Sequence, residues 1–312
     1  MTRILTLLCF IIFHLDLQAE QLTFSKVVDK KKIHMEYQWI DHEETPQSLD
    51  FSLPKSTVNK QVHRKFIPDI AQQYVYIELH KTARKIDPRE ARVEIKHHAD
   101  DLRVTVNSRS PKLLQKWQDS MQISQERAFD QYLQDNYYSH FSTHVGQKGV
   151  KPDHLRYIAE SKAALLPLAQ AVYDKLPEGS DTRAYVNLML SWVQSIPYNA
   201  LESRIESNGA GYLPPITVVA NNQGDCDSKS TLMATLIRTL LPDVKMIMLY
   251  LPNHALLGIS LPFRIHEQTF ELDGTDYLLM EPTGPAAMKL GATATRSSMD
   301  IASGMYSYEY IP

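Results

Sequence analysis

The sequence is poor in cysteine, with only Cys9 and Cys226 among 312 residues. It has no low-complexity tract and no apolar run long enough to cross a bilayer. It also lacks an excess of one charge: Lys and Arg total 33 against 36 Asp and Glu. Each absence removes a class of function. A disulfide framework needs more paired cysteines than this. A net charge of −3 offers no whole-chain attraction for nucleic acid or an anionic membrane. Neither a Gly-x-x-x-x-Gly-Lys phosphate loop nor a dinucleotide fingerprint occurs. His97-His98-Ala99-Asp100 has no second ligand set at zinc spacing and reads as a solvated strand end. Asp225-Cys226-Asp227 lacks the glycine and distant glutamate of a calcium loop. No cofactor and no metal are therefore expected.

What is present begins at the N-terminus. Arg3 precedes an apolar run from Ile4 to Phe13, and Leu17-Gln18-Ala19 offers a small residue before a cut. The run is about half of the roughly 20 residues a spanning helix needs. Residues 1–19 thus have the layout of a secretory signal peptide, with an uncleaved anchor as the alternative. The expected mature protein is exported, periplasmic or secreted, without a membrane span. It would keep one thiol, Cys226. Such a thiol is either buried and inert or retained for its reactivity.

The length predicts more than one domain. Residues 20–110 read as a β-rich domain of unknown role, able to dock a protein partner. Alternation predicts strands at Lys32–Ile40, Gln73–Leu79, Ala91–Lys96 and Leu102–Val106. Residues 111–178 form a helical connecting region, with helices over 111–138 and 152–176. Residues 179–312 hold a third helix over 181–195, a loop over 202–211 and the cysteine helix. Strands follow at 244–251, 254–261, 268–272 and 277–280. Helices first and antiparallel strands after argue an α+β fold.

Asp225 sits where an N-cap belongs, which puts Cys226 at the first helical position. Unpaired amides and the helix dipole there favour a thiolate, while Asp225 and Asp227 oppose it. A positive partner must come from elsewhere. His254 begins a strand whose Ala255, Leu257 and Ile259 form the buried set, so the imidazole faces the other way, toward a cleft. Glu281, at a strand end before Pro282, suits the acceptor that fixes the histidine tautomer.

Gly224-Asp225-Cys226, His254-Ala255, and Gly274 followed by Tyr277 and Glu281-Pro282-Thr283 together resemble the transglutaminase-like branch of the papain-like cysteine enzymes. The resemblance spans about residues 192–284. It implies a papain-like core with Cys226 as nucleophile, His254 as general base and acid, and Glu281 as orienting carboxylate in place of the commoner Asp. It also implies that Tyr212 is an oxyanion-stabilising aromatic. The substrate would be a peptide or protein amide, hydrolysed or transferred to an amine through a Cys thioester. The competing reading is a catalytically inactive binding or scaffold protein that keeps the fold.

Overall fold

In the computed structural model, which describes residues 18–59, 63–98, 101–203 and 209–312, the chain opens with strands β1 (Gln21–Val28), β2 (Lys32–Ile40) and β3 (Pro46–Pro54). Helices α1 (Lys55–Val58) and α2 (Pro68–Ala83), the strand pair β4 (Arg92–His98) and β5 (Asp101–Asn107), and helix α3 (Pro111–Asp135) follow. A hairpin of β6 (Tyr138–Ser142) and β7 (Lys148–Pro152) leads to α4 (His154–Tyr173), α5 (Thr182–Ser195), α6 (Pro215–Asn221) and α7 (Cys226–Leu240). Strands β8 (Met246–Leu251), β9 (His254–Ile259), β10 (Thr269–Leu272) and β11 (Thr275–Met280), helix α8 (Thr295–Ala302) and strand β12 (Ser307–Ile311) complete it. All strand pairings are antiparallel among the described residues, and the fold is α+β.

The helix starts follow from their caps. Ser110, Asp153 and Asp181 each accept the backbone N–H three residues on, at 3.4, 3.1 and 2.8 Å. Those bonds satisfy first-turn amides that no helix can satisfy internally.

Five strands form the main sheet, in the order β10-β11-β9-β8-β12. One face, through Met246, Met248, Ala255, Leu257 and Met280, packs on Leu232, Met233, Leu236 and Ile237 of α7. The opposite face was expected to open on a cleft. Instead Ile247, Leu249, Leu256, Phe270, Tyr277 and Leu279 bury it in a second cluster with Ile301 and Tyr306 at its margin. Both faces being covered explains why β8 is an unbroken apolar run, MIMLYL, buried at every position.

The first ninety-odd described residues contribute mainly to two cores, with Ala71 in a smaller third. Ile33, Met35, Tyr37, Trp39, Leu49, Phe51 and Leu53, on one face of β2 and β3, join the same core as α4, α5 and α7. The Tyr37 hydroxyl donates to Val219 O at 2.6 Å and Trp39 Nε1 to Ser191 Oγ at 3.0 Å. The three-stranded sheet therefore completes the core of the cysteine helix and has none of its own. Helices α2 and α3 and the pair β4–β5 make the other core, around Val75, Leu79, Ile95, Leu102, Val106 and Met121.

One predicted strand is a helix. Gln73–Leu79 lies inside α2, where Ala71, Val75 and Leu79 recur every fourth residue and are the buried ones. Pro68 at the helix start fixes its first turn, and packing on α3 outweighs the β propensity of Tyr, Val and Ile. The expected signal segment lies outside the described residues up to position 17, as do parts of the expected 202–211 loop and of the His97–Asp100 strand end. No helix among the described residues is long and apolar enough to cross a membrane.

Candidate active site

Asp225 caps α7 as expected, its Oδ1 accepting Ser228 N–H at 3.0 Å, so Cys226 opens the helix. Residues Ser228 to Arg238 are buried all round. Thr231, Thr235 and Thr239 return their hydroxyls to the preceding turn at 2.7 Å, which satisfies those polar groups inside the core. At the other end, Arg238 donates to the carbonyls of Pro242 and Val244 at 2.6 and 2.7 Å. The tip is docked on β9 by Ser230 Oγ, which donates to Ala255 O at 3.1 Å. Cys226 Sγ lies against the Ala255 backbone N–H, one residue from His254.

His254 sits at the mouth of the β8–β9 hairpin, paired with Leu251. Strand β11 runs beside β9 with Met280 opposite Leu257, which brings Glu281 past its end toward the imidazole. His254 Nε2 and Glu281 Oε2 are 3.2 Å apart. With a carboxylate as partner, Nε2 carries the hydrogen and donates it, and Nδ1 keeps its lone pair. Glu281 Oε1 accepts Ala294 N–H at 2.9 Å. Burial pushes the Glu281 carboxyl up, but the His254 ring, the Ser297 hydroxyl and the Ala294 amide more than offset it, and its pKa falls below the usual range. The acid therefore stays ionised at neutral pH.

The sulfur is placed less simply. Its hydrogen bond goes to Asp227 Oδ1, at 3.5 Å, and not to His254. Burial first, then the Asp227 and Asp225 carboxylates, push the thiol pKa up. Burial and the two carboxylates together outweigh the helix-tip preference for a thiolate. Both aspartates are in turn pushed up, chiefly by burial. The Asp227 side chain is 31% exposed, so solvent moderates its share.

Tyr212 is 0% exposed. Rings of His63, His154 and Tyr157 surround it at 5.1, 5.1 and 5.3 Å, and its hydroxyl has no hydrogen-bond partner of ordinary geometry. It packs beside the start of α7, where the N–H of the next residue, Leu213, donates to Ser228 Oγ at 2.8 Å. The accessible aromatic beside the cysteine is Tyr198, 55% exposed and bridged to Gly224. The structure thus brings Cys226, His254 and Glu281 to one end of the sheet and buries Tyr212 among three aromatic rings.

Two supporting residues went unread in the sequence. Lys229, one turn after Cys226, is wholly buried and donates to Ile196 O at 2.7 Å and Gln194 O at 3.3 Å. Burial lowers its pKa from 10.5 to about 7. Gln194 Nε2 donates to Glu281 O at 2.8 Å and Met288 O at 2.9 Å, so it holds the backbone of the acid. Asp227 is read there for its charge, but not as the acceptor of the thiol hydrogen. A charged residue at helical spacing inside an apolar stripe was the available signal for Lys229; Gln194 reaches across 87 residues and leaves no local trace.

Gly284 packs so closely on the Gln194 carbonyl that an added Cβ would collide with it. The obstacle is backbone and cannot rotate away. Gly284→Ala is expected to lower stability by about 1–3 kcal/mol or more. Urea unfolding checks this, and an unchanged midpoint would remove Gln194 as a fixed support of Glu281.

Among the described residues, no group of three or more His, Cys, Asp or Glu converges as a metal site needs. An apolar groove of about 520 Å³ lined by Phe66, Ala71, Val75, Leu102 and Phe129 lies apart from Cys226, His254 and Glu281. Chemistry locates this site, then, and pocket size does not. Comparison with protein-family models, curated proteins and solved structures gave no match for this chain.

Proposed function

We propose that this protein is an exported, transglutaminase-like cysteine enzyme acting on peptide or protein amides. The observation that carries the reading is the His254 Nε2–Glu281 Oε2 hydrogen bond at the end of the sheet on which the Cys226 helix tip is docked. That bond aims the basic Nδ1 away from Glu281 and leaves it for the sulfur. Nδ1 takes the thiol proton, and the sulfur attacks the amide carbonyl. The Cys226 N–H, a first-turn amide with no intrahelical acceptor, faces the developing oxyanion. The imidazolium returns its proton to the leaving amine, giving a thioester on Cys226. Water or a second amine then takes the acyl group, with His254 again moving the proton. Export rests on the expected signal segment.

A second reading has an observation of its own. A thiol pushed up and bonded to Asp227 suits a protein that keeps the fold without the chemistry. Denatured casein separates the two when incubated with and without a fluorescent primary amine. The enzyme reading expects peptide release or amine incorporation, lost on Cys226→Ala and on His254→Ala. Neither product from the wild type, across pH 5–9, would favour the binding protein.

A further inference from the structure

Asp227 belongs to a buried chain that the reaction above does not use. Its Oδ2 lies 3.8 Å from His154 Nε2, and His154 is fully buried. His154 Nδ1 is 2.9 Å from the Tyr250 hydroxyl. That hydroxyl donates to Glu309 Oε2 at 2.7 Å, and Lys151 Nζ holds the same oxygen at 2.8 Å. A phenol has a single hydrogen, and this one goes to Glu309. His154 Nδ1 must therefore be the donor to Tyr250, which assigns the tautomer. Burial, then the Lys151 charge and His63, drive the His154 pKa well down, so the ring is neutral. Its Nε2 is left a bare lone pair with no hydrogen-bond partner, aimed at a carboxylate oxygen.

His154 thus supplies no hydrogen to Asp227 across that gap. Among the described residues, the side-chain donor that Asp227 does have is the Cys226 thiol. We propose that Asp227 is a positioning residue that holds the nucleophile at rest: its Oδ1 accepts the thiol hydrogen, and the sulfur becomes reactive only by leaving Asp227 for Nδ1 of His254. The inference rests on the triad reading for its second half alone. One proton moves. The S–H···Oδ1 bond breaks, the hydrogen passes to Nδ1, and a thiolate and an imidazolium result, with no other reactant needed.

The charges around Asp227 fit that role. Lys151 from β7 and His254 from β9 pull its pKa down, while Asp225 shares its helix end. Tyr198, Tyr212 and Tyr250 face it as neutral phenols whose own pKa values are raised, chiefly by burial. Among the described residues, the Cys226 thiol, and none of these groups, is hydrogen-bonded to the Asp227 side chain.

The test is iodoacetamide labelling of Cys226, read by intact mass from pH 5.5 to 10, on the full chain. The resting arrangement predicts a wild-type midpoint above the value of about 8.5 for an ordinary thiol. Asp227→Asn keeps the shape and removes the charge. It is expected to lower the midpoint by about one pH unit or more and to speed labelling about tenfold at pH 7.5. A wild-type midpoint below about 8.5, or an unmoved midpoint in Asp227→Asn, overturns the inference. The wild-type arm decides even if the variant does not fold. Adding His254→Ala to Asp227→Asn separates the two claims. If the gain disappears, both stand; if it persists, Asp227 restrains the thiol but His254 does not activate it. If Asp227→Asn changes nothing while His254→Ala alone slows labelling, the triad stands and the resting role of Asp227 falls.

Discussion

Glu281→Gln is expected to cut amide turnover by about two to four orders of magnitude while leaving the fold intact. The side chain keeps its length, and a glutamine oxygen can still accept Ala294 N–H, which binds Oε1 at 2.9 Å in the wild type. What changes is the end that faces His254. An amide NH₂ placed at the 3.2 Å contact presents a donor to Nε2 and selects the tautomer with its hydrogen on Nδ1. That nitrogen could then no longer take the thiol proton. The negative charge that steadies the imidazolium is lost as well. The effect should fall on kcat and kcat/KM together, because the interaction matters only once His254 is charged. A rise in KM at constant kcat would mean that Glu281 contacts substrate. The carboxyl pKa, lowered in the folded state, also has a stability consequence. Its contribution is present above the unfolded value near 4.3 and is lost as pH falls through the folded value. Glu281→Gln should therefore lose less stability than the wild type between about pH 5 and pH 3.

Lys229→Met is expected to have the largest effect on stability, and the sign depends on pH. Moving an ammonium pKa from 10.5 to about 7 corresponds to about 5 kcal/mol of penalty on the charged form. Between those values the unfolded chain holds a proton that the folded one does not, so stability rises with pH there. The penalty is complete below about 7 and relieved toward 10.5. Methionine removes it, but leaves Gln194 O and Ile196 O without the donor they share. Two bereft carbonyls cost about 1–3 kcal/mol each. The variant should thus be near or above wild-type stability at pH 7 and clearly below it by pH 10. Denaturant unfolding of both proteins at four pH values measures the difference, in which the other titrating groups cancel. The gap should change by about 1.4 kcal/mol per pH unit. A constant gap would mean that Lys229 keeps its charge throughout.

What the sequence revealed of the site, it revealed through local signals. Gly224-Asp225 before a helical stripe places Cys226, and period two over residues 254–261 places His254 at a strand start. A proline after Glu281 marks the strand end. Each is decided within a few residues. What was missed depends on packing between distant segments. Tyr74 and Tyr76 alternate with Val75 as in a strand, and only the contact with α3 selects the helix. The His254 side of β9 reads as facing a cleft because the cluster covering Leu256 gathers Phe270, Tyr277 and Leu279 from strands still to come. Tyr212 sat at a plausible distance from the cysteine, yet His63 and His154, from far upstream, close around it. The push of Asp225 and Asp227 on the thiol was visible; that Asp227 also takes the thiol hydrogen was not.

The central claim is that Cys226 becomes nucleophilic through His254. Its most direct test is the rate at which a peptidyl epoxide alkylates Cys226 at pH 7, followed by intact mass in the wild type and in His254→Ala. Whatever share of the sulfur rests on Asp227, reaction must pass through the population paired with the imidazole, so the variant should react at least about tenfold more slowly. Equal rates in the two proteins would contradict the account.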